Sequence, residues 1–571
     1  MKENTGIDTE TYHGYVKLIC DDAGRSKDID NFDDIIKFLT HQRFRHTFNW
    51  FFNIKFDFES IIKYLSYSDL IELYQNKVIE YHGCTINYLD KKFFSILSQG
   101  NYYYFYDLYN FLDTSLNKAS KKFLHDEKLS TVDSSRLNLD LDYWSENYSD
   151  IVKYCIKDAL LTKQLADYFW NIVYTNMKYY PKRPFSKGKI SEEYFLDRCY
   201  IPTINNLPLN VLKFAYNSYF GGRFELLKKG YFDHIYSYDI KSAYPASIAE
   251  LIDYSKGGWI EMKGKVNDSA YTGFYDCKID CNETFFSPFI QKAGELSLFP
   301  NGVFKQFLTK WELDFIESRF ENVTIKVLKG YEFFPSDLNY PFKSEMERLY
   351  AWKESEKDED IRLCVKIFMN ALYGKTIQKS GDENRTGKLF NPLYASEITS
   401  KTRIKLYDMA LQSPDDIIMF STDSVHSRKP LNIPKVPGLG DFARDFEGEG
   451  VYIMSDVYNL WNLTTNKTKN KIRGFALAVE KDIDSDIILL KDILSNMDTP
   501  EYTYETYRPY HLGECLLHKK ARKIEDLNVF GKMEKHINVN GDKKRFWISD
   551  FKSGRECLKK QINSLPLKVG V

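Results

Sequence analysis

The sequence contains no Cys-x-x-Cys pair, no apolar run long enough to span a bilayer, no internal repeat and no low-complexity tract. Its nine cysteines are scattered, and the closest two, Cys277 and Cys281, have neither a second pair nor nearby histidines to complete a zinc site. That excludes a disulfide scaffold or zinc module and predicts a reduced, intracellular protein. The opening Met-Lys-Glu-Asn-Thr-Gly has no apolar signal region, so a cytosolic location without membrane association is expected. An excess of one charge sign is missing too. With 79 Lys and Arg against 80 Asp and Glu, the net charge of −1 creates no overall field that would draw in nucleic acid.

A local imbalance remains. Residues 515–560 hold thirteen Lys or Arg against six Asp or Glu, including Lys519, Lys520, Arg522, Lys523, Lys543, Lys544 and Arg545. Such a run is ordinarily a solvated face; in a chain that handles nucleic acid it becomes a phosphate-tracking surface. A length of 571 residues exceeds one core and predicts two to four domains. The aromatic share of 16% suits both packing and base stacking, although an AT-rich coding sequence produces the same excess.

Residues 1–175 alternate short apolar strands with helical stretches, as at Tyr15–Cys20, His46–Phe52 and Asp150–Trp170, which predicts an α/β domain. Residues 178–190 concentrate Pro, Gly and positive charge and read as a linker. A helical segment follows near 191–218, then strands over 231–335. Helix is expected over 342–373, interrupted by the charged run Lys353–Asp360, and again over 394–412. A hairpin centres on Thr422–Ser424, and 451–571 is mixed and basic.

Two groups of residues carry chemistry. Asp8-Thr9-Glu10 places two carboxylates on one face of an extended segment. Asn53-Ile-Lys-Phe-Asp57 adds a third at the end of an aromatic run, and Tyr154-Cys-Ile-Lys-Asp158 adds a fourth, one helical turn from its tyrosine. Singly each is commonplace. Together, four acids on separate elements can hold two metal ions about 4 Å apart and stabilise both oxygens in phosphodiester hydrolysis. The polar residues before Asp8 predict a first strand that is short or begins late.

In the second group, the alternating aromatic run Tyr236-Ser-Tyr-Asp239-Ile-Lys-Ser-Ala-Tyr244-Pro245 delivers Asp239 at the end of a strand. Lys366, Asn370 and Tyr373 recur at i, i+4 and i+7 on one helix face. Lysine offers a point charge for a triphosphate and tyrosine a flat surface for a base. The apolar strand from Ile417 carries Asp423 at a tight turn, so Asp239 and Asp423 are able to meet across a sheet.

These motifs, in this order, resemble those of family B DNA polymerases with a DEDDy-type 3′→5′ exonuclease. Tyr236–Pro245 resembles motif A, with Ala243 in place of Leu. Lys366–Gly374 resembles motif B, with Ala371 in place of Ser. Thr422-Asp423-Ser424 resembles motif C, but Ser421 stands where a first aspartate is usual. Tyr219-Phe-Gly221-Gly222-Arg223 resembles the Tyr-x-Gly-Gly segment between the two halves. The Lys-x-Tyr element reads Asp456-Val-Tyr458, without its lysine, so Lys471 or the 519–523 cluster is left to supply that charge. The chain's brevity resembles the protein-primed branch found in bacteriophages, other viruses and linear plasmids. Its long interval between motifs A and B leaves room for that branch's first insertion, and the short one between B and C implies a reduced second insertion.

The resemblance implies an α/β multidomain fold: an RNase H-like exonuclease domain (1–180), a linker (181–230), palm with first insertion (231–340), fingers (341–385), palm (386–450), then thumb and C-terminal region (451–571). It implies DNA-directed synthesis on a viral or mobile-element genome, with Mg²⁺, or Mn²⁺, held in pairs by Asp239, the Ile240 carbonyl and Asp423, and by Asp8, Glu10, Asp57 and Asp158. Tyr154 would orient the attacking water. Tyr244, Lys366, Asn370 and Tyr373 would bind nucleotide, with Tyr244 excluding a ribose 2′-hydroxyl. Asn53, Tyr219, Gly221, Gly222, Arg223, Ser424, Tyr458, Lys519 and Lys520 would contact DNA. Implied partners are primer-template DNA, dNTPs, a terminal protein primer and a single-stranded-DNA-binding protein, with the chain monomeric in the host cytosol. Ser421 and Asp456 keep open the alternative of a nuclease with a degenerate polymerase half; a non-catalytic scaffold on primer-template is a further alternative, against which the retained acids argue.

Overall fold

The computed structural model describes residues 2–380, 385–472, 489–517 and 523–569, which group into two compact units. The first comprises residues 1–194, 356–368 and 507–533; the second comprises 195–355, 369–506 and 534–571. No helix among the described residues is long and apolar enough to cross a membrane.

The first unit is built on an eight-stranded sheet in the order 26–28, 15–21, 4–12, 48–51, 101–107, 93–98, 84–89, 78–81. Strand Phe48–Phe51 runs parallel to both neighbours, Asn4–Tyr12 and Asn101–Asp107; the other pairings are antiparallel. The 37-residue helix Leu141–Met177 packs on the strand Asn4–Tyr12. Its start is fixed by the Asp140 carboxylate, which accepts from the Tyr143 N–H at 3.0 Å. Gly6 permits the close approach of this helix, because a Cβ there would lie 1.9 Å from the Ala159 carbonyl oxygen.

The first strand does not begin late. It spans Asn4–Tyr12, and its polar N-terminal residues are buried in hydrogen bonds. Asn4 Nδ2 donates to Asp167 Oδ1 at 2.8 Å, Trp50 Nε1 donates to Asn4 Oδ1 at 2.9 Å, and Thr5 Oγ1 donates to Asn49 Oδ1 at 2.7 Å. A satisfied polar side chain is tolerated in a core, which apolar periodicity cannot register.

Residues 507–533 complete this unit's core: Leu512, Cys515, Leu516 and Leu527 pack with Phe58, Leu70 and Leu73. Asn528 Nδ2 donates to the Phe56 carbonyl at 3.0 Å, and Lys63 Nζ donates to that of Glu525 at 2.8 Å.

The second unit centres on a sheet in the order 467–472, 457–462, 442–454, 228–240, 424–427, 417–422, 223–226, extended by 545–547 and 561–566. The strand Lys228–Ile240 is thus flanked on both sides, and helix Pro392–Ala410 contributes Leu406, Tyr407, Met409 and Ala410 to the core beneath it. A second sheet, 257–262, 323–335, 272–281, 301–309, 568–569, packs with helix Lys310–Arg319. The expected interruption within 342–373 is present, between helices Lys343–Ser355 and Glu359–Ala371. The expected linker at 178–190 ends earlier, since helix Lys187–Arg198 begins inside it.

Candidate functional site

In the first unit, strand and helices bring the four N-terminal acids together. Asp8 and Glu10 lie two residues apart on Asn4–Tyr12, and Thr9 between them donates from Oγ1 to Asp57 Oδ1 at 2.6 Å. Asp57 sits in the first turn of helix Ile54–Ile62; Tyr154 and Asp158 lie one turn apart in Leu141–Met177. Asp158 is 2% exposed, and its Oδ1 has no hydrogen-bond partner among the described residues. Burial, followed by repulsion from Asp158, Glu10 and Asp57, pushes the Asp8 carboxyl well above the usual carboxylate range. Burial and Asp158 push Glu10 up to about 8, and burial pushes Asp57 up to about 7 against the opposing Thr9 hydrogen bond. A carboxylate oxygen of Asp8, one of Glu10 and the Cys155 sulfur lie within 4.8 Å of one another. Hard oxygen donors, mutual repulsion and an orphaned carboxylate oxygen fit a site for Mg²⁺ or Mn²⁺.

Sequence reasoning missed Lys128. Its Nζ lies 2.5 Å from Asp158 Oδ2 and 4.7 Å from the centre of the Tyr154 ring. Burial alone would push this ammonium down, but Asp158, Tyr154 and Asp8 outweigh it and hold it up. Lys128 stands in an irregular stretch with no spacing signature, so only the fold could reveal it. Asn53 adopts φ 67° at the start of its helix and makes no side-chain cap bond, while its N–H donates to Asp107 Oδ1 at 2.9 Å. Asp107 was also not singled out in the sequence.

In the second unit, Asp239, Ser421, Asp423, Ser424, Asp445, Tyr458, Lys469, Asn470 and Lys471 line one cavity of ≈ 360 Å³. Asp239 pairs with Ser424 in the antiparallel register, and the Ile240 N–H donates to the Asp423 carbonyl at 2.9 Å. Thr422, just before Asp423, has φ 56°, and the Asp423 N–H closes a three-residue turn on the Ser421 carbonyl at 2.7 Å. A β-branched residue in the left-handed region is strained, so surrounding structure must hold it there. Gly222 is part of that support: a Cβ on it would lie 2.8 Å from Thr422 Cγ2. Its lack of a side chain therefore leaves room for this hairpin. At Gly221 a Cβ would meet nothing within 4 Å.

Tyr219, Tyr244 and Tyr373 form a cluster. Tyr244 stacks on Tyr373 with ring centres 4.3 Å apart, and the Tyr219 and Tyr373 hydroxyls lie 2.7 Å apart. Burial, then the Asp423 charge, pushes the Tyr244 phenol up to about 12, so it remains a neutral ring. Arg403, missed in the sequence, is buried beside them. It donates to the Phe220 carbonyl at 2.6 Å and the Gly221 carbonyl at 2.9 Å and pairs with Glu312, fixing the Tyr-x-Gly-Gly backbone. Lys366 and Asn370 are exposed positions of helix Glu359–Ala371; Tyr373 is half-buried in the turn that follows.

Two assignments need correction. Arg223 cannot contact DNA: it is 0% exposed, pairs with Glu225 and is ringed by Phe286, Phe299, Tyr407 and Phe420. Nor does Arg545 belong to a phosphate-tracking face, since it is buried against Glu225 at 2.7 Å, while Lys544 donates to the Phe224 carbonyl at 2.8 Å. Two arginines around one buried carboxylate form a structural knot, because an unpaired buried charge is costly. Lys519, Lys520 and Arg522 lie outside the described residues.

Residues 126–384 match the family "DNA polymerase type B, organellar and viral". The chain is similar to the "Probable DNA polymerase" of Ascobolus immersus, 27% identical over 438 residues that cover 73% of this chain and 33% of that protein. It is also similar to the DNA polymerase of Acidianus bottle-shaped virus (isolate Italy/Pozzuoli), 26% identical over 277 residues, covering 45% of this chain and 40% of that one. The chain thus spans well under half the length of these relatives. Its fold is similar to that of Phi29 DNA polymerase complexed with primer-template DNA and incoming nucleotide substrates, with a TM-score of 0.62 and 16% identity over 94% of this chain and all of that one (100%). Residues 126–384 thus resemble the family B DNA polymerases of organellar and viral type, and the mixed α/β multidomain fold is similar to that of Phi29 DNA polymerase.

Proposed function

We propose that this chain is a template-directed DNA polymerase of the protein-primed branch with a separate 3′→5′ exonuclease site. The observation that carries the reading is the cavity where Asp239 and Asp423, 184 positions apart in sequence, meet beside lysines and a tyrosine. Asp239, Asp423 and the Ile240 carbonyl would hold a pair of divalent cations, which when bound supply charge stabilisation to the transferring phosphoryl group. The chain's own residues do the positioning. The strained Thr422 turn aims Asp423 into the cavity beside Asp239. The Tyr244 ring, braced by Tyr373, would bar a ribose 2′-hydroxyl, and the motif resemblance would give Lys366 and Asn370 nucleotide-binding roles.

At the exonuclease site Asp8, Glu10, Asp57 and Asp158 would hold the metals and Tyr154 would orient the attacking water. Lys128, bound to Asp158, would offset negative charge as the phosphodiester breaks. Asn53, Tyr219, Gly221, Gly222, Ser424 and Tyr458 would guide the DNA strands. The solved Phi29 polymerase complexes with primer-template DNA and incoming nucleotide support primer-template and dNTPs as the substrates. A terminal protein would provide the first hydroxyl. In domain terms, 1–180 would be the exonuclease, 231–340 and 386–450 the palm, 341–385 the fingers and 451–571 the thumb region.

The test is incubation with a labelled primer-template, dNTPs and Mg²⁺, and separately with labelled dNTP and the terminal protein encoded on the same element. Lengthened primers from the native protein but not from Asp423→Ala support the polymerase. Shortened primers alone would leave a nuclease, and no metal-dependent activity would leave a scaffold. A covalently labelled protein in the second reaction supports protein priming.

A further inference from the structure

Positions 421 and 456 are two of the places where the polymerase motifs depart from the family pattern, and the fold joins them directly. Ser421 Oγ donates to Asp456 Oδ1 at 2.9 Å, and Lys471 Nζ lies 2.7 Å from the same oxygen. Asp456 is 1% exposed and sits at φ 61° in the turn between strands Phe442–Met454 and Val457–Asn462, a conformation aspartate tolerates. Its buried charge requires a cation, and Lys471 provides it from the facing strand, directly opposite Tyr458 in the register. The Lys471 side chain keeps 45% of its surface exposed and lines the cavity that holds Asp239 and Asp423. Two residues earlier on the same strand face, Lys469 is likewise tied to an aspartate, Asp445. A cavity whose carboxylates collect metal ions needs fixed positive charge at its edge to take a polyanionic strand, and an ammonium has three donors, of which Asp456 engages one.

Resting on the polymerase reading above, we propose that Lys471 binds a backbone phosphate of the primer strand next to the reacting end. Asp456 and Ser421 are positioning residues that fix its ammonium. The lysine absent from position 456 is thereby replaced in space from the neighbouring strand, and the aspartate at 456 becomes its anchor.

The experiment compares Lys471→Met, Lys471→Arg, Asp456→Asn and the double variant Asp456→Asn/Lys471→Met. The readouts are primer extension with primer-template and dNTP varied separately, and duplex binding by fluorescence anisotropy across a salt series. Lys471→Met should raise KM for primer-template by about tenfold, the scale of one lost charge-assisted phosphate contact, with KM for dNTP essentially unchanged. It should also flatten the slope of log affinity against log salt by about one unit, and Lys471→Arg should recover most of both. Asp456→Asn should weaken primer-template in the same sense, and the double variant should be no worse than Lys471→Met alone. An unchanged KM and salt slope in Lys471→Met, or losses that multiply in the double variant, would overturn the proposal. Digestion of single-stranded DNA by the same preparations reports folding. If the native protein fails to extend primers, the polymerase reading fails by itself, while the salt slope of duplex binding still decides the role of Lys471.

Discussion

The Ile240 N–H donates to the carbonyl of Asp423 at 2.9 Å, stitching the end of one acid-bearing strand to the tip of the hairpin that carries the other. The relative position of Asp239 and Asp423 is therefore set by main chain, which does not depend on side-chain rotamers. Disturbing that main chain should impair synthesis even when both acids are intact.

Gly222→Ala tests this. The added methyl would meet Thr422 Cγ2 at 2.8 Å and Thr422 Cα at 3.2 Å, forcing the strained turn to shift. Primer extension should fall at least tenfold, a scale set by the sensitivity of phosphoryl transfer to misplacement on the order of 1 Å. Digestion of single-stranded DNA should be unaffected, and equal losses in both assays would mean general unfolding instead.

Asp8→Ala should reduce 3′→5′ digestion on the order of 10³-fold, since a ligand to the proposed metals would contribute several kcal/mol to the transition state. Lys128→Ala should lower it by roughly 10- to 100-fold, the usual effect of losing a partner that orients a ligand. Both variants should keep primer extension. Wild-type digestion by Lys128→Ala would reduce the 2.5 Å contact with Asp158 to a structural pair.

Tyr244→Ala should raise the ratio of ribonucleotide to deoxynucleotide incorporation by roughly tenfold or more, because the ring proposed to bar the 2′-hydroxyl is gone. Tyr373→Phe keeps the ring that stacks 4.3 Å from Tyr244 and removes only the hydroxyl paired with Tyr219. Its sugar selectivity should stay near the native value. Single-turnover incorporation of matched dNTP and NTP pairs measures both.

His426 should make the second unit acid-sensitive. Burial, with Lys469 adding to it, pushes its pKa down from 6.5 to about 3, and its ring lies against the Tyr452 hydroxyl at 2.6 Å and Ser237 Oγ at 3.2 Å. Below pH 6.5 the unfolded chain takes a proton that the fold refuses. Stability is full above that pH and lost as pH falls toward 3, by about 2 kcal/mol at pH 5. Urea midpoints at pH 7.5 and pH 5 should differ less in His426→Gln than in the native protein. An equal difference in both would assign the effect to another group.

Sequence alone exposed the acid pairs and aromatic anchors because their spacing is fixed locally. Asp8 and Glu10 share a strand face, Tyr154 and Asp158 a helix face, and Asp423 a hairpin tip, wherever those elements lie in space. The hidden first strand shows the limit of that reading, since Asn4 and Thr5 are buried through partners forty or more positions away. The basic stretches show it more sharply. Arg223 and Arg545 read as surface cations yet close on Glu225 inside the fold; Lys128 reads as nothing in particular and Lys471 only as one of two candidates for a missing lysine, yet they reach the two acid sites. The sequence determined which side chains could do metal-dependent phosphoryl chemistry. Only the tertiary structure decided which cations serve those sites, because a charge is committed by what it faces after the sheets close, and burial makes an unpaired one too costly to leave.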